Sequence, residues 1–592
     1  MNKTKLLMGA SALVASLALA GAASAVTAAA TNVVYGTGSS LAAPYLDEIE
    51  GCYGPASPLD VQTSTVGTTP GSLSGNGTTQ SYPVCTTPTQ SVIGLRYMSS
   101  SSGYGEAAIF SNSAATYAGL TSAGTVYPGL EYAAGDYGLK ASDVTAYDCT
   151  GAATCSVSSG STLVTVEPHG QSAAASPPTS FANPFDTYGA LIQAPLLITP
   201  VAIVYNPVYK AVYNPAKKVT PTLYSFNVHT TNADGSGGLQ LDVPTLCAIF
   251  NGKIQNWNDP AITALNGGVS LKATADTGTF SVPIELVGRS DTSGTTSIFY
   301  RALAAQCTGT YKGGTYTNNY AAAGGKQLPA ALGGGATPPA SQIWAPGAPT
   351  LTPIPGQFSL AKGSGNVAQY VALSPVVSAT KTISVQGKIA YIGPDYALPA
   401  GKSTLTPGGK ILNVVDVVTG GLAIEPTAAN ALAAFKAAGG ATGLLPPQTT
   451  SAGAYSASAT AVGLRSAPQD WAEPISTTVL YSNATTPVAT PLAAPPTGYY
   501  PFVGTSNIFL NTCYKNAAAV TALTGFLKYY YTQSQTTVVL NRAGLAALPT
   551  AWDKAILTAF APSPPSYPTD GLKLNIAAGG TATQCTGHAG AL

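Results

Sequence analysis

The chain has 592 residues, 45% of them hydrophobic and only 8% charged, against about 25% charged in an ordinary soluble domain. Its 25 Lys and Arg nearly balance 24 Asp and Glu, which excludes electrostatic recruitment by nucleic acid or an anionic membrane, and its 32 tyrosines and apolar content exclude a disordered chain. A surface of Ser, Thr, Asn, Gln, Tyr and Gly changes its charge little with pH and suits an acidic or otherwise harsh habitat outside the cytoplasm.

In chain order, Lys3 and Lys5 precede an apolar run from Leu6 to Ala20 and then Ala23-Ser24-Ala25, the pattern of a cleaved signal peptide over residues 1–25. The run is shorter than the ~20 residues a spanning helix needs. Val26, not cysteine, would follow the cut. The expectation is a periplasmic or secreted chain that is neither membrane-spanning nor a lipoprotein.

Gly36-Thr37-Gly38-Ser39-Ser40-Leu41-Ala42-Ala43-Pro44-Tyr45 is a Gly/Ser turn ahead of a helix, and Arg96 to Gly103 is a second polar turn. Each could equally be a flexible loop. Pro200 to Asn206 and Val282 to Gly288 are β-branched apolar runs that read as buried strands. Between them Pro244 to Phe250 reads as a short amphipathic helix with proline at its start and Gly252 at its end. Helices alternating with short strands make the fold class α/β. Three stretches look like large loop insertions, at about 140–185, 308–355 and 402–493, the last containing a helix from Pro426 to Ala438. Val520, Leu523, Phe526, Leu527 and Tyr530 form a core-facing helical stripe near the C-terminus.

The segment Val287 to Thr296 lies between a strand and the helical run beginning at Ser297. Free N–H groups and the dipole of a helix N-terminus attract an oxyanion. Gly294 permits close approach of the backbone, Ser293 and Thr295 add hydroxyl donors, and Arg289 offers a planar fork to two oxygens, with Asp291 as the partner that orients it. Read alone, the turn is also compatible with an ordinary helix cap.

Eight cysteines in an exported chain point to disulfides. Their spacing suggests sequential pairs, Cys52 with Cys85, Cys149 with Cys155, Cys247 with Cys307 and Cys513 with Cys585, one of 105 connectivities. No cysteines have zinc-knuckle spacing, and His169, His229 and His588 are scattered, so no metal or other cofactor is expected. The histidines also lack the partners of a Ser-His-Asp arrangement, so the chain is not expected to be an enzyme.

Taken in order, Gly36–Tyr45, Ser101–Gly105, Tyr132-Ala133-Ala134-Gly135-Asp136, Leu241 to Leu246, the Gly252–Ile262 stretch with its Lys-Ile-Gln-Asn-Trp-Asn-Asp-Pro-Ala-Ile core, and Arg289–Thr296 resemble the periplasmic phosphate-binding proteins of ABC transporters, the PstS family. Weaker echoes occur at Gly387–Ile392, Tyr500-Pro501-Phe502 and Leu545–Pro549. The chain departs from the family pattern at Leu41, Ala42, Ser100 and Thr292, none of which removes a donor or acceptor.

The resemblance implies a two-lobed, type II periplasmic-binding-protein fold with the ligand in the interlobe cleft. Residues 26–206 and 494–592 would form the first lobe and 207–493 the second. It implies a ligand shell of Ser40, the N–H of Leu41, Ser101, Asp136, Arg289, Ser293, Gly294 and Thr295, closing by a hinge on inorganic phosphate for delivery to an ABC permease. Asp136 would accept the proton of phosphate and repel fully ionised sulfate. The alternatives are a surface or assembly protein that kept the fold, or a binder of another oxyanion.

Overall fold

The structure is a computed structural model that describes residues 32–54, 88–99, 102–112, 130–149, 180–212, 222–228, 238–277, 282–289, 293–307, 358–372, 387–397, 412–438, 443–449, 463–472 and 491–591, apart from 137, 140, 362 and 581, with a few short strands elsewhere. The expected signal peptide, Cys85, Ser101, Asp291 and the side chain of Cys155 lie outside the described residues.

β1 (Asn32–Gly38) leads into α1 (Ala43–Tyr53), and β2 (Ile93–Ser99) into α2 (Ser102–Ser111). β3 (Tyr132–Gly135) and the fully buried β4 (Leu191–Pro200) complete the first passage. The chain then enters a second sheet with β5 (Ala202–Asn206), β6 (Leu239–Asp242), α3 (Val243–Phe250), β7 (Ile284–Arg289), α4 (Gly294–Gln306), β8 (Phe358–Ala361), β9 (Gly387–Ile392) and β10 (Asn413–Thr419). After α5 (Ala428–Ala438) it returns as β11 (Val503–Asn511), α6 (Ala517–Thr532) and β12 (Ala546–Ala547). The first sheet has the order β2-β1-β3-β11-β4-β12. The second runs β6-β10-β5-β9-β7-β8, with Ile343–Trp344 at its edge.

In each sheet, the strand that arrives from the other sheet runs against its neighbours. β11 is antiparallel to β3 and β4, and β5 to β9 and β10, whereas β1, β2 and β3 are mutually parallel, as are β7, β8 and β9. The carboxyl ends of the parallel strands, where open α/β sheets bind ligands, therefore face the crossings. Two of these crossings lie side by side. Val201 donates its N–H to the carbonyl of Phe502 at 2.8 Å, and Tyr500 donates its hydroxyl to the Val201 carbonyl at 2.7 Å.

Local chemistry sets the helix starts. Asp242 accepts the N–H of Thr245 at 2.8 Å ahead of α3, with Pro244 in the first turn, where a missing N–H costs nothing. Asp259 caps the helix Pro260–Leu265 in the same way. Trp257, in that same motif, is fully buried, donates to the Gly387 carbonyl at 3.0 Å and packs on Phe226 at 4.9 Å, locking the motif onto β9. The stripe on α6 is core: Leu523, Phe526, Leu527 and Tyr530 are all buried, and Val520 packs against them. Disulfides Cys247–Cys307 and Cys513–Cys585 are present as expected, with Cα atoms 5.5 and 5.6 Å apart. Cys52 and Cys149 are disulfide-bonded as well.

The structure corrects three boundaries. The chain leaves the first sheet at Val201 rather than after Asn206, because the run to Asn206 pairs with β9 and β10. The stretch 140–185 does not begin as an insertion: its helix Ala141–Asp148 buries Val144 and Tyr147 in the core beside Phe110 and Phe509. Nor is 402–493 an insertion throughout. β10 is a central strand of the second sheet, and α5 packs on the first, where Phe435 meets Trp552 at 5.9 Å. From the same segment, Pro468 accepts from Gln193 on β4 at 2.8 Å, and Trp471 packs on Phe560 at 4.9 Å.

Candidate functional site

The loops leaving the parallel strands of both sheets meet at one place. After β1, Ser39 accepts the N–H groups of Leu41 and Ala42, each at 3.1 Å, and so shapes the entry to α1. Its own hydroxyl donates to Asp136 Oδ1 at 2.5 Å, just beyond β3. Gly38, at φ +134°, makes this turn possible, because a Cβ there would strike the Ala134 carbonyl. Gly105 allows α2 the same intimacy, since a Cβ would lie 2.8 Å from Gly38 Cα.

Asp136 is 2% exposed and surrounded by hydroxyls. Ser506 donates to the same Oδ1 at 2.6 Å, Ser102 reaches Oδ2 at 3.5 Å, and the Asp136 N–H donates to Ser102 Oγ at 3.2 Å. Burial pushes the Asp136 carboxyl above its usual range, and the bonds from Ser39 and Ser506, then the charge of Arg289, hold that rise back.

From the second sheet comes Arg289, at the end of β7 and 3% exposed. Its Nη1 donates to Ser364 Oγ at 2.9 Å and its Nη2 to Ser40 Oγ at 3.3 Å, the latter bond bridging the two sheets. Ser293 caps α4 by accepting the Thr296 N–H at 3.2 Å, which leaves its hydroxyl proton to donate elsewhere. Thr295 Oγ1 is buried with no partner among the described residues, and Thr296 Oγ1 pairs with the Tyr391 hydroxyl at 2.8 Å. Gly294 starts α4 directly against Asp136: a Cβ there would come within 2.8 Å of the Asp136 backbone nitrogen.

Ser40, Leu41, Asp136, Arg289, Ser293, Gly294 and Thr295 are thus brought together from distant parts of the chain. The Leu41 N–H is already bonded to Ser39, and the serine that meets Asp136 is Ser102, one residue beyond Ser101. Sequence reasoning missed Ser39, Ser102, Ser364 and Ser506. Ser364 had a signal, since Gly363-Ser364-Gly365 opens a helix after a strand as Ser293-Gly294 does. Ser506 had none, because it comes from the interior of the antiparallel strand β11. Chemically, the arrangement offers a guanidinium, a helix N-terminus and free hydroxyls to negative oxygens, and one carboxyl to a proton.

The family model for the PBP superfamily domain matches residues 182–534. Among curated proteins, the chain is 26% identical over 381 residues to a phosphate-binding protein of an unknown prokaryotic organism, covering 63% of this chain and 73% of the relative. It is 25% identical over 392 residues to alkaline phosphatase L of Pseudomonas aeruginosa, covering 64% and 71%. A shorter match, 43% identical over 102 residues, covers 16% of this chain and 26% of phosphate-binding protein PstS 3 of Mycobacterium leprae. In three dimensions, the chain is similar to a high-affinity periplasmic phosphate-binding protein solved with phosphate, with a TM-score of 0.51, 21% identity and coverage of 94% and 98%. That likeness bears out the α/β, two-lobed type II binding-protein fold.

Proposed function

Since the chain belongs to the PBP superfamily, we propose that it captures inorganic phosphate between its two sheets and passes it to an ABC permease outside the cytoplasm. The observation that carries this reading is the placement of Asp136 against the first turn of α4. A carboxyl there is a poor neighbour for an anion unless that anion brings a proton. Phosphate does and fully ionised sulfate does not, and a buried acceptor left unpaired costs about 1–3 kcal/mol or more. Arg289, the Ser293 and Thr295 hydroxyls and the N-terminus of α4 supply the complementary donors. The phosphate-binding names of relatives in both comparisons support the same reading.

Closure would be a hinge motion about the crossings at Val201 and Phe502. No described helix is long and apolar enough to cross a membrane, and we read residues 1–25 as the export signal.

Catalysis is the second reading, because two of the curated relatives are named alkaline phosphatase L. Ser39, the hydroxyl tied most closely to a carboxylate, already accepts two N–H groups and donates its proton to Asp136, so it has no lone pair left for attack on phosphorus. We therefore place capture ahead of turnover.

The test is calorimetric titration with phosphate, sulfate and arsenate, wild type beside Asp136→Asn. Capture predicts phosphate and arsenate binding at micromolar concentration or below, with sulfate admitted only by the variant. Sulfate rejection that survives Asp136→Asn removes the selectivity argument, and hydrolysis of a chromogenic phosphate ester restores the enzyme.

A further inference from the structure

At the carboxyl end of β9 the chain turns through Gly393 into the single 3-10 turn Pro394–Tyr396. Asp395, in that turn, is 5% exposed, and among the described residues neither carboxyl oxygen has a hydrogen-bond partner beyond the N–H of its own residue. Its strand lies beside β7 and parallel to it, so Asp395 leaves the same edge of the second sheet as Arg289 and Ser364. A Cβ on Gly393 would run into the Asp395 carboxyl and touch Leu41 Cδ1 at 3.3 Å. The carboxyl therefore sits at the seam where the start of α1, from the first sheet, meets the second.

A buried carboxyl with so few partners is far more costly ionised than neutral. Two charged groups reach this seam from neighbouring elements. Arg289 arrives from β7, with its guanidinium engaged by Ser40 and Ser364, and Asp136 arrives from beyond β3 and opposes a second negative charge. Burial first, and the charge of Asp136 in addition, push Asp395 up to about 8.

We propose that Asp395 is the proton-linked residue of the cleft: the two lobes close over the anion with this carboxyl neutral, so capture takes up a proton there whenever Asp395 is ionised beforehand. The proposal rests on the phosphate reading above and extends it. The anion adds negative charge to a seam that already holds Asp136, which favours the neutral carboxyl further. Neutral, it is a hydrogen-bond donor as well as an acceptor; ionised, it resists closure. Phosphate affinity then declines as pH rises past the point at which Asp395 loses its proton.

The experiment is phosphate titration calorimetry of the full chain from pH 6 to 9.5, wild type beside Asp395→Asn, which keeps the shape and removes the titration. Ionisation of phosphate is common to both, so the ratio of variant to wild-type affinity reads residue 395 together with its charge coupling to Asp136. One linked proton makes that ratio rise about tenfold per pH unit above about pH 8, and leaves it flat below about pH 7. Titrations of both proteins in two buffers of different ionisation enthalpy show the matching excess, with wild type taking up as much as one proton more than the variant above about pH 8. Should the Asn variant not fold, Asp395→Ser serves the same comparison. A ratio that stays flat to pH 9.5 while both proteins bind phosphate overturns the proposal alone. Absence of phosphate binding by wild type at every pH overturns the functional reading, and the proposal with it.

Discussion

Gly294 and Asp136 belong to different sheets, yet a Cβ on Gly294 would lie 2.5 Å from the Cβ of Asp136. Only a residue without a side chain lets α4 come this close. Gly294→Ala keeps an acceptable helical backbone and blocks the approach, so it leaves the thermal midpoint within a few degrees of wild type while opening the cleft. Overpacking of about 1–3 kcal/mol weakens phosphate binding roughly 10- to 100-fold. Unchanged affinity in calorimetry would show that closure does not bring these residues together.

Arg289 spans the seam with two nitrogens, one to Ser364 and one to Ser40. A lysine carries the same charge on one point and cannot keep both bonds while meeting a ligand. Arg289→Lys is expected to lower phosphate affinity at least tenfold and Arg289→Ala considerably further, both with near-normal far-UV circular dichroism. A lysine variant that binds like wild type would reduce the role of Arg289 to charge alone.

Burial pushes Glu50 and Glu131 to about 8, although Glu50 accepts from the Tyr132 hydroxyl at 2.5 Å and Glu131 from the Tyr35 N–H at 2.7 Å. Asp553 rises to about 7 for the same reason. In the folded chain these groups keep their protons up to those values, whereas unfolded they ionise near 4 to 4.5. Between the two, unfolding releases protons, so the folded state loses stability as pH climbs from about 4.5 to about 8. Urea midpoints at pH 4.5, 6 and 8 should fall in that order, and Glu50→Gln should flatten part of the decline, by at least about 2 kcal/mol. A midpoint that rises with pH refutes this account and the acid-adapted surface expected from composition.

The disulfide Cys247–Cys307 joins α3 to the far end of α4, about 20 Å from the helix start that faces the cleft at 1.5 Å per residue. Replacing both cysteines by serine releases a loop of 60 residues and is expected to cost about 4 kcal/mol of stability. Phosphate affinity should stay within about threefold. A large loss of affinity in a folded variant would mean that the clamp also sets the position of Gly294.

The sequence showed its glycine turns and capped helices clearly, because each has a local physical signature: Asp242 before Pro244, Asp259 before Pro260, Ser293 before Gly294. Residues contributed by the return passage left no such mark. Ser506 is one small residue in a buried strand, and only the pairing of β11 with β3 and β4 aims it at Asp136. The serine run 99–102 shows why register fails without geometry: four identical residues give no sign of which one begins α2. The helix at 428–438 was legible from its own pattern, but alanine-rich faces fit many surfaces, and nothing local says that it covers β4 rather than a strand of the nearer sheet. Asp395 passed unnoticed because an isolated Pro-Asp-Tyr reads as a turn until its depth is known.

The passage of α5 through Trp471 onto the first sheet has a practical side for protein engineering. A chimera that swapped residues 207–493 as one cassette with a relative would import a foreign cover for β4 and strip the native partners from Gln193, Trp552 and Phe560. The exchangeable unit of the second lobe runs instead from Ala202 to about Ile424, and grafts cut there keep each sheet with the helices that shield it.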